Sequence, residues 1–310
     1  MVSDRLEKVL DGKDGIILID LSWMLHRNYH SFNWMSVDIN GYKRPTGHIY
    51  GVLYTIETLR SKYPNYAVVL CQDGIPVDRQ KLSGSNDVGY KDGRAELAFD
   101  FYKDIPIIEA AAYLTPNVFW AYNEDKESDD LMYALAKQSE RLFDGKILIY
   151  SGDNDLLQAI DENISVVRKT GKDGLLIEIT SETVSEAEEF VKKFYGVPPK
   201  KLPLFRSIIG DSSDNLKGIP RFPRRLAAVI ATSSNSFEDI FKFSPMTQTE
   251  KKYILLLNEN RSLVTFNYQM MKLSDDFNVN LFRKRPDADK VIGSLKDLQM
   301  NRYLKSLGVV

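Results

Sequence analysis

The chain reads as an α/β protein with a largely parallel central sheet flanked by helices, followed by a helical subdomain. Three observations predict this. Short β-branched runs recur through the first 180 residues, most of them end beside a carboxylate, and segments of helical period separate them. After about residue 180 the strand-like runs stop while helical patterning continues. A length of 310 residues suits one large or two modest domains. The expected division is a core over 1–180, with an arch-like loop at about 78–105, and a helical subdomain over 181–310.

Ile16-Ile17-Leu18-Ile19, entered from Gly12 and Gly15, reads as a buried strand ending at Asp20. The segment 21–32 is expected to be helical, and Val52, Leu53, Ile56 and Leu59 give 47–59 a helical period. A second strand, 67–71, ends near Asp73. The segment 78–104 is polar, carries Gly84, Gly89 and Gly93, and reads as a mobile loop with weak helix. A helix continues through 110–114 and a third strand covers 117–121. A helix over 128–143 has Ser128 as a plausible cap, with Leu131, Ala134, Leu135 and Leu142 turned inward. Strands follow at 146–150, 164–167 and 175–179. Thr180 or Ser181 can cap a helix carrying Val184, Ala187, Val191 and Phe194, stopped by Gly196 and Pro198-Pro199. Further helices are expected at 202–209, 224–231 and 251–257.

Composition excludes several classes. Hydrophobic residues at 43% and charged residues at 27% describe a folded chain. No apolar run nears the ~20 residues of a membrane span, and the charged N-terminus lacks a signal-peptide core. A single cysteine, Cys71, cannot close an internal disulfide, which fits a reducing cytoplasm. One cysteine and three histidines leave little for a zinc site, so any metal would be held by oxygen.

Carboxylates gather where elements begin or end. Asp20 and Asp73 follow strands one and two. Glu127, Asp129 and Asp130 open a helix, Asp153 and Asp155 follow strand four, and Asp211 and Asp214 follow Ile208-Ile209. The carboxyl ends of parallel strands open onto one crevice. There, each pair of like charges at ~4–6 Å costs about 1 kcal/mol or more. Divalent Mg²⁺ or Mn²⁺ relieves that repulsion, and two such ions ~4 Å apart clamp the attacking water and the leaving oxygen of a phosphodiester. Setting these nine acids aside moves the formal charge from −2 to +7 for the remainder. Arg27, Lys43, Arg44, Lys91, Arg94, Lys217, Arg221, Arg224 and Arg225 can then meet a phosphate backbone. Singly, each acid is more simply a turn or cap residue; their joint occurrence in this order favours the metal reading.

Six stretches carry a resemblance: IDLSWMLHRNYHSF at 19–32, RPTGHIYGVL at 44–53, YKDGR at 90–94, ESDD at 127–130, SGDNDLLQAI at 151–160 and IIGDSSDNLKGIP at 208–220. From about residue 15 to its end the chain resembles the 5′-nuclease, or flap endonuclease, family. It is most similar to the 5′-3′ exonuclease domain of bacterial DNA polymerase I and to free-standing phage 5′ nucleases. The resemblance implies a PIN/FEN-like core and a DNA-binding helical subdomain with a helix–three-turn–helix motif. It implies metal ligation by Asp20, Asp73, Glu127, Asp129, Asp130, Asp153, Asp155, Asp211 and Asp214. It gives Lys91 and Arg94 catalytic roles at the scissile phosphate, and nucleic-acid contacts to Arg27, Arg79 and Tyr90 with them. The family's glycine-rich hairpin, which binds DNA through backbone N–H groups and a monovalent cation such as K⁺, is altered here. Arg221 and Pro223 stand where glycines are expected, and Lys217, Arg221, Arg224 and Arg225 offer side-chain charge instead.

The implied activity is Mg²⁺-dependent cleavage at 5′ ends and 5′ flaps, with Mn²⁺ as a substitute. The implied substrates are flapped, nicked or forked DNA and RNA–DNA primers. The implied setting is replication in a bacterial cell or phage-infected host, as a monomer beside replication proteins. A PIN-like ribonuclease and a non-catalytic DNA-junction binder are the alternatives. Asp20-Leu21-Ser22 lacks the Asp-x-Asp of a haloacid phosphatase, and Met24 breaks the Asp-x-Ser-x-Ser of an adhesion-type metal domain.

Overall fold

Seven strands form the central sheet in the order β11-β5-β4-β1-β6-β7-β8, in a computed structural model that describes residues 2–85, 99–169, 176–184 and 192–309. The inner strands β1 (Gly15–Asp20), β4 (Tyr66–Gln72), β5 (Val118–Tyr122), β6 (Lys146–Tyr150) and β7 (Ile164–Lys169) run parallel. The edges β8 (Leu176–Ile179) and β11 (Asn280–Phe282) pair antiparallel. All six residues of β1 are buried, because helices cover both faces of the sheet. Strand alternation divides the core in two. Ile16 and Leu18 pack with α1 (Val2–Leu10), α6 (Ser128–Leu142) and the helical half. Ile17 and Ile19 pack with α2 (Leu21–Ser31), α3 (Gly47–Lys62) and α5 (Ile105–Tyr113).

Most expected elements occur within two or three residues of their reading, and the helix over 202–209 matches at both ends, as α7 (Leu202–Ile209). Others differ. A hairpin, β2 (Ser36–Ile39) and β3 (Tyr42–Pro45), lies where none was expected. Asn40 and Gly41 turn it with φ of 54° and 80°, the left-handed pair that a two-residue hairpin loop needs. The segment 78–104, read as a loop with weak helix, is helical at its described ends, as α4 (Val77–Ser85) and a 3₁₀ turn over Phe101–Asp104, and 86–98 fall outside the described residues. The α6 cap is Glu127 rather than Ser128, and the Ser128 N–H donates to Asp73 from the neighbouring strand. Leu142 is exposed at the helix end rather than inward. Residues 181–184 form a turn in which Thr180 and Thr183 bond each other, in place of a helix start. The rest of that expected helix to 191 falls outside the described residues.

The helical half is α7, a two-strand ribbon β9 (Gly210–Asp211) and β10 (Leu216–Lys217), then α8 (Arg224–Ser233), α9 (Gln248–Glu259) and α10 (Arg261–Met271). A helix, turns and a second helix therefore span 202–233. Gly210 has φ +77°, and a side chain there would meet the Gly218 nitrogen at 2.3 Å, so the ribbon requires glycine. Buried Asn267 of α10 donates to the Ser207 and Lys217 carbonyls and ties ribbon to helix. The chain then returns to the sheet. β11 pairs with β5, the Arg283 guanidinium donates to the carbonyls of Tyr113, Thr115 and Val118, and α11 (Ala288–Asp297) and α12 (Asn301–Ser306) cover α3 and α5. No helix among the described residues is long and apolar enough to cross a membrane.

Candidate metal centre

The parallel strands bring their carboxyl ends to one edge, and the first acids follow from that. Asp20 ends β1 and is at once the cap of α2, with its Oδ1 accepting the Trp23 N–H at 2.9 Å. Its other oxygen accepts from the Ser151 hydroxyl at 2.9 Å, and the Ser128 hydroxyl lies 3.3 Å from Oδ1. Asp73, just past β4, accepts the Ser128 N–H at 2.6 Å and so fixes the start of α6 against the sheet edge. Asp153 and Asp155 follow β6, where the Asp155 N–H donates to Asp153 at 2.8 Å and the Asp153 N–H to the Ser151 hydroxyl at 3.1 Å.

Electrostatics follow from burial. Asp20 is pushed up to about 7, first by burial and then by the charge of Asp73; Asp153 adds to this, and the Trp23 and Ser151 hydrogen bonds oppose it. Burial also raises Asp130, against the pull of Arg79. Buried Cys71, below the same edge, is raised well above the usual thiol range by burial and then by Asp20, Asp73 and Asp129. It is no nucleophile.

Two arginines neutralise the ends of the acid row. Arg79 of α4 donates from Nη1 to Glu127 at 2.6 Å and to Asp130 at 2.7 Å, and from Nη2 to Asp130 at 2.9 Å. Its Nε donates to the Met270 carbonyl at 3.0 Å, so one guanidinium joins α4, α6 and α10. At the other end Arg206 of α7 pairs with Asp155 and Asp211. Carboxylate oxygens of Asp155, Asp211 and Asp214 all lie within 4.8 Å of one another. This set suits a hard divalent cation such as Mg²⁺ or Mn²⁺, because three carboxylate oxygens converge and such ions take oxygen ligands. A cleft of about 570 Å³ opens beside it, lined by Asp153, Asn154, Arg206, Asp211, Lys217 and Arg224.

The remaining expected residues fall in three places. Arg27 lies 5.2 Å above the Trp23 ring, close to Gly152, where a side chain would strike Trp23, and its charge acts on Tyr150. Lys217, Arg221, Arg224 and Arg225 are exposed on the ribbon and the start of α8. Arg221 holds φ +59°, a left-handed conformation that favours glycine, within a turn closed by the Phe222 N–H on the Ile219 carbonyl. Tyr90, Lys91 and Arg94 lie outside the described residues. Arg79, expected to contact nucleic acid, is bonded to acids of the row.

Three contributors escaped sequence reading. Ser128 and Ser151 sit inside the ESDD and SGDND stretches, and their hydroxyls and the Ser128 N–H hold the acids. Arg206 had a usable signal: it is the only charge in the apolar helix LPLFRSII.

Comparison with known proteins agrees with this geometry. The family model described as 5′-3′ exonuclease, N-terminal resolvase-like domain, matches residues 15–195. A 5′-3′ exonuclease of Aquifex aeolicus is 28% identical over 94% of this chain and 94% of its own. DNA polymerase I of Pseudomonas aeruginosa is 25% identical over 94% of this chain and 31% of its own length. Among solved structures, the T5 D15 protein co-crystallised with metal ions superposes with a TM-score of 0.62 at 17% identity, covering 94% of this chain and 99% of that one. The catalytic core of Rad2 in complex with DNA substrate gives 0.53 at 15% identity, covering 97% and 94%. At these identities the two structures speak to the fold.

Proposed function

Because the chain belongs to the 5′-3′ exonuclease family, we propose that it is a structure-specific 5′ nuclease whose acid row holds Mg²⁺, with Mn²⁺ able to substitute. The observation that carries this is the convergence of Asp155, Asp211 and Asp214 at the sheet edge that also presents Asp20, Asp73, Asp153 and the start of α6. When bound, the ions lower the pKa of the attacking water and neutralise charge on the scissile phosphate.

The protein's own groups do the rest. Asp20 is oriented by Trp23, Ser128 and Ser151, so its oxygens are preorganised toward the row. Asp73 holds the first turn of α6, the turn that carries Asp129 and Asp130. Lys91 and Arg94 are assigned the developing charge on the phosphate, and Tyr90 a base to stack on.

The DNA is a flapped, nicked or forked duplex, or an RNA–DNA primer. Two solved relatives are described with DNA: the T5 D15 flap endonuclease pseudo-enzyme-product complex with DNA and metal ions, and the Rad2 core. The helices and turns over 202–233 take the duplex. There Lys217, Arg221, Arg224 and Arg225 contact phosphates with side chains, replacing the backbone and K⁺ contacts of a glycine hairpin. A core over 1–180 and a duplex-binding part beyond it fit this assignment, with β11, α11 and α12 returning to the core. The protein works as a monomer in the cytoplasm during replication, where primer removal needs this activity.

The test is a 5′-labelled flap incubated with Mg²⁺, with Mn²⁺ and with excess chelator. Cutting near the junction only with the ions is expected. Asp155→Asn should slow it about a thousandfold, about 4 kcal/mol, while duplex binding stays within a few fold. Binding without cutting under every condition would identify a junction-binding protein instead.

A further inference from the structure

We infer that Arg206 is a built-in counter-cation of the metal centre, and that a divalent ion reaches Asp155, Asp211 and Asp214 only by displacing its guanidinium. This rests on the metal reading above. Arg206 is placed for the role by its helix. It is the one charge in α7, its side chain is only 11% exposed, and it pairs with Asp155 and Asp211 at once. Asp153 and Asp214 also act on it electrostatically, so four carboxylates surround one fixed positive charge. A guanidinium is charged at any working pH, and its fork matches two carboxylates.

A divalent ion on the same carboxylates would stand within a few ångströms of that charge and compete for the same oxygens. Repulsion between the two, in a buried setting, makes joint occupancy unfavourable. The cleft of about 570 Å³ that Arg206 lines gives the guanidinium somewhere to go. Binding is then an exchange of one cation for another. The metal-free protein keeps its acids together with Arg206, and ion affinity is lowered by the pairing that must be broken.

Arg79 supplies the contrast. Its hydrogen bonds reach Glu127, Asp130 and the Met270 carbonyl, and the acids it holds are not among the three converging aspartates.

The test is calorimetric titration of Mn²⁺ into chelator-stripped full-length protein, for the unaltered chain, Arg206→Met and Arg206→Gln. The neutral variants should bind the ion at least tenfold more tightly and melt at lower temperature when metal-free. Unchanged or weaker affinity in a folded neutral variant overturns the inference. If neither variant folds without metal, the Arg206 Nε–H resonance of the unaltered protein decides. A protected resonance in chelator that moves or exchanges on adding Mg²⁺ supports displacement, and one that is unaffected at saturation overturns it. Absence of any Mn²⁺ binding by the unaltered protein would remove the metal reading itself and the inference with it. Binding with no difference between variants removes the inference alone.

Discussion

Arginine does opposite work beside the acid row and on the ribbon. Beside the row Arg79 and Arg206 are buried against carboxylates and hold the acids together. On the ribbon side Arg221, Arg224 and Arg225 are exposed, and no ion pair holds them among the described residues. The formal charge of −2 hides this separation. Buried guanidinium groups compensate acids and raise the cost of losing either partner. Exposed ones add little to stability and are free to meet phosphate. Asp20 stands between the regimes. It has hydrogen-bond donors and no arginine partner in the hydrogen bonds and ion pairs described, and it responds by holding its proton up to about 7.

That difference can be broken at its centre first. In chelator, the raised pKa of Asp20 makes the folded state keep a proton that the unfolded chain releases above ~3.9. This group's contribution is therefore fully present below about pH 4 and is lost as pH rises through 7. The loss amounts to up to about 4 kcal/mol for a group this buried. Urea melts of the metal-free protein at pH 5 and pH 8 should show it, and Asp20→Asn should flatten the profile. An equal pH dependence in the variant would remove Asp20 as its source.

Next comes the buried arginine at the α6 end. Arg79→Ala takes the buried guanidinium away from Glu127 and Asp130 and should cost about 3 kcal/mol in metal-free stability. Saturating Mg²⁺ should recover part of it. A melt unchanged within error would mean that Arg79 carries no structural load and would reopen a direct nucleic-acid role for it.

On the ribbon side the readout changes from stability to salt. Replacing Arg224 and Arg225 together by Ala should barely move the melt. The log–log salt dependence of duplex binding should become shallower by about 0.9 for each phosphate that is no longer neutralised. An unaltered slope contradicts a phosphate role. The smallest effect belongs to Arg221, where Arg221→Gly relieves a left-handed backbone and should stabilise the fold by about 1 kcal/mol while weakening duplex binding. A gain in stability with no loss of binding would mean that the side chain does nothing for DNA.

What was legible in the sequence was local chemistry. The β-branched run ending at Asp20, the apolar periodicity of 202–209 and the acids at element ends all sit within a few residues of their cause. The hairpin at 36–45 had a signal too, Asn40-Gly41 after the alternating Ser36-Val37-Asp38-Ile39, but its strands are four residues long and only Val37 among them is buried. Partners distant in the chain were not legible. β11 is three residues long and joins β5 from about 160 residues away, and its register follows from packing rather than composition. Arg79 looked like a free basic residue because nothing near it in sequence shows that Glu127, Asp130 and the Met270 carbonyl close around it. Arg206 lies only five residues before Asp211, yet its apolar surroundings masked the charge.

The most direct test of the central claim, that the acid row is a divalent-metal centre, is a crystal of the full chain soaked in Mn²⁺ and measured at the manganese absorption edge. The account predicts an anomalous peak about 2.1–2.3 Å from carboxylate oxygens of Asp155, Asp211 and Asp214, with the Arg206 guanidinium moved into the cleft. No peak at saturating Mn²⁺, with Arg206 still between Asp155 and Asp211, would contradict it.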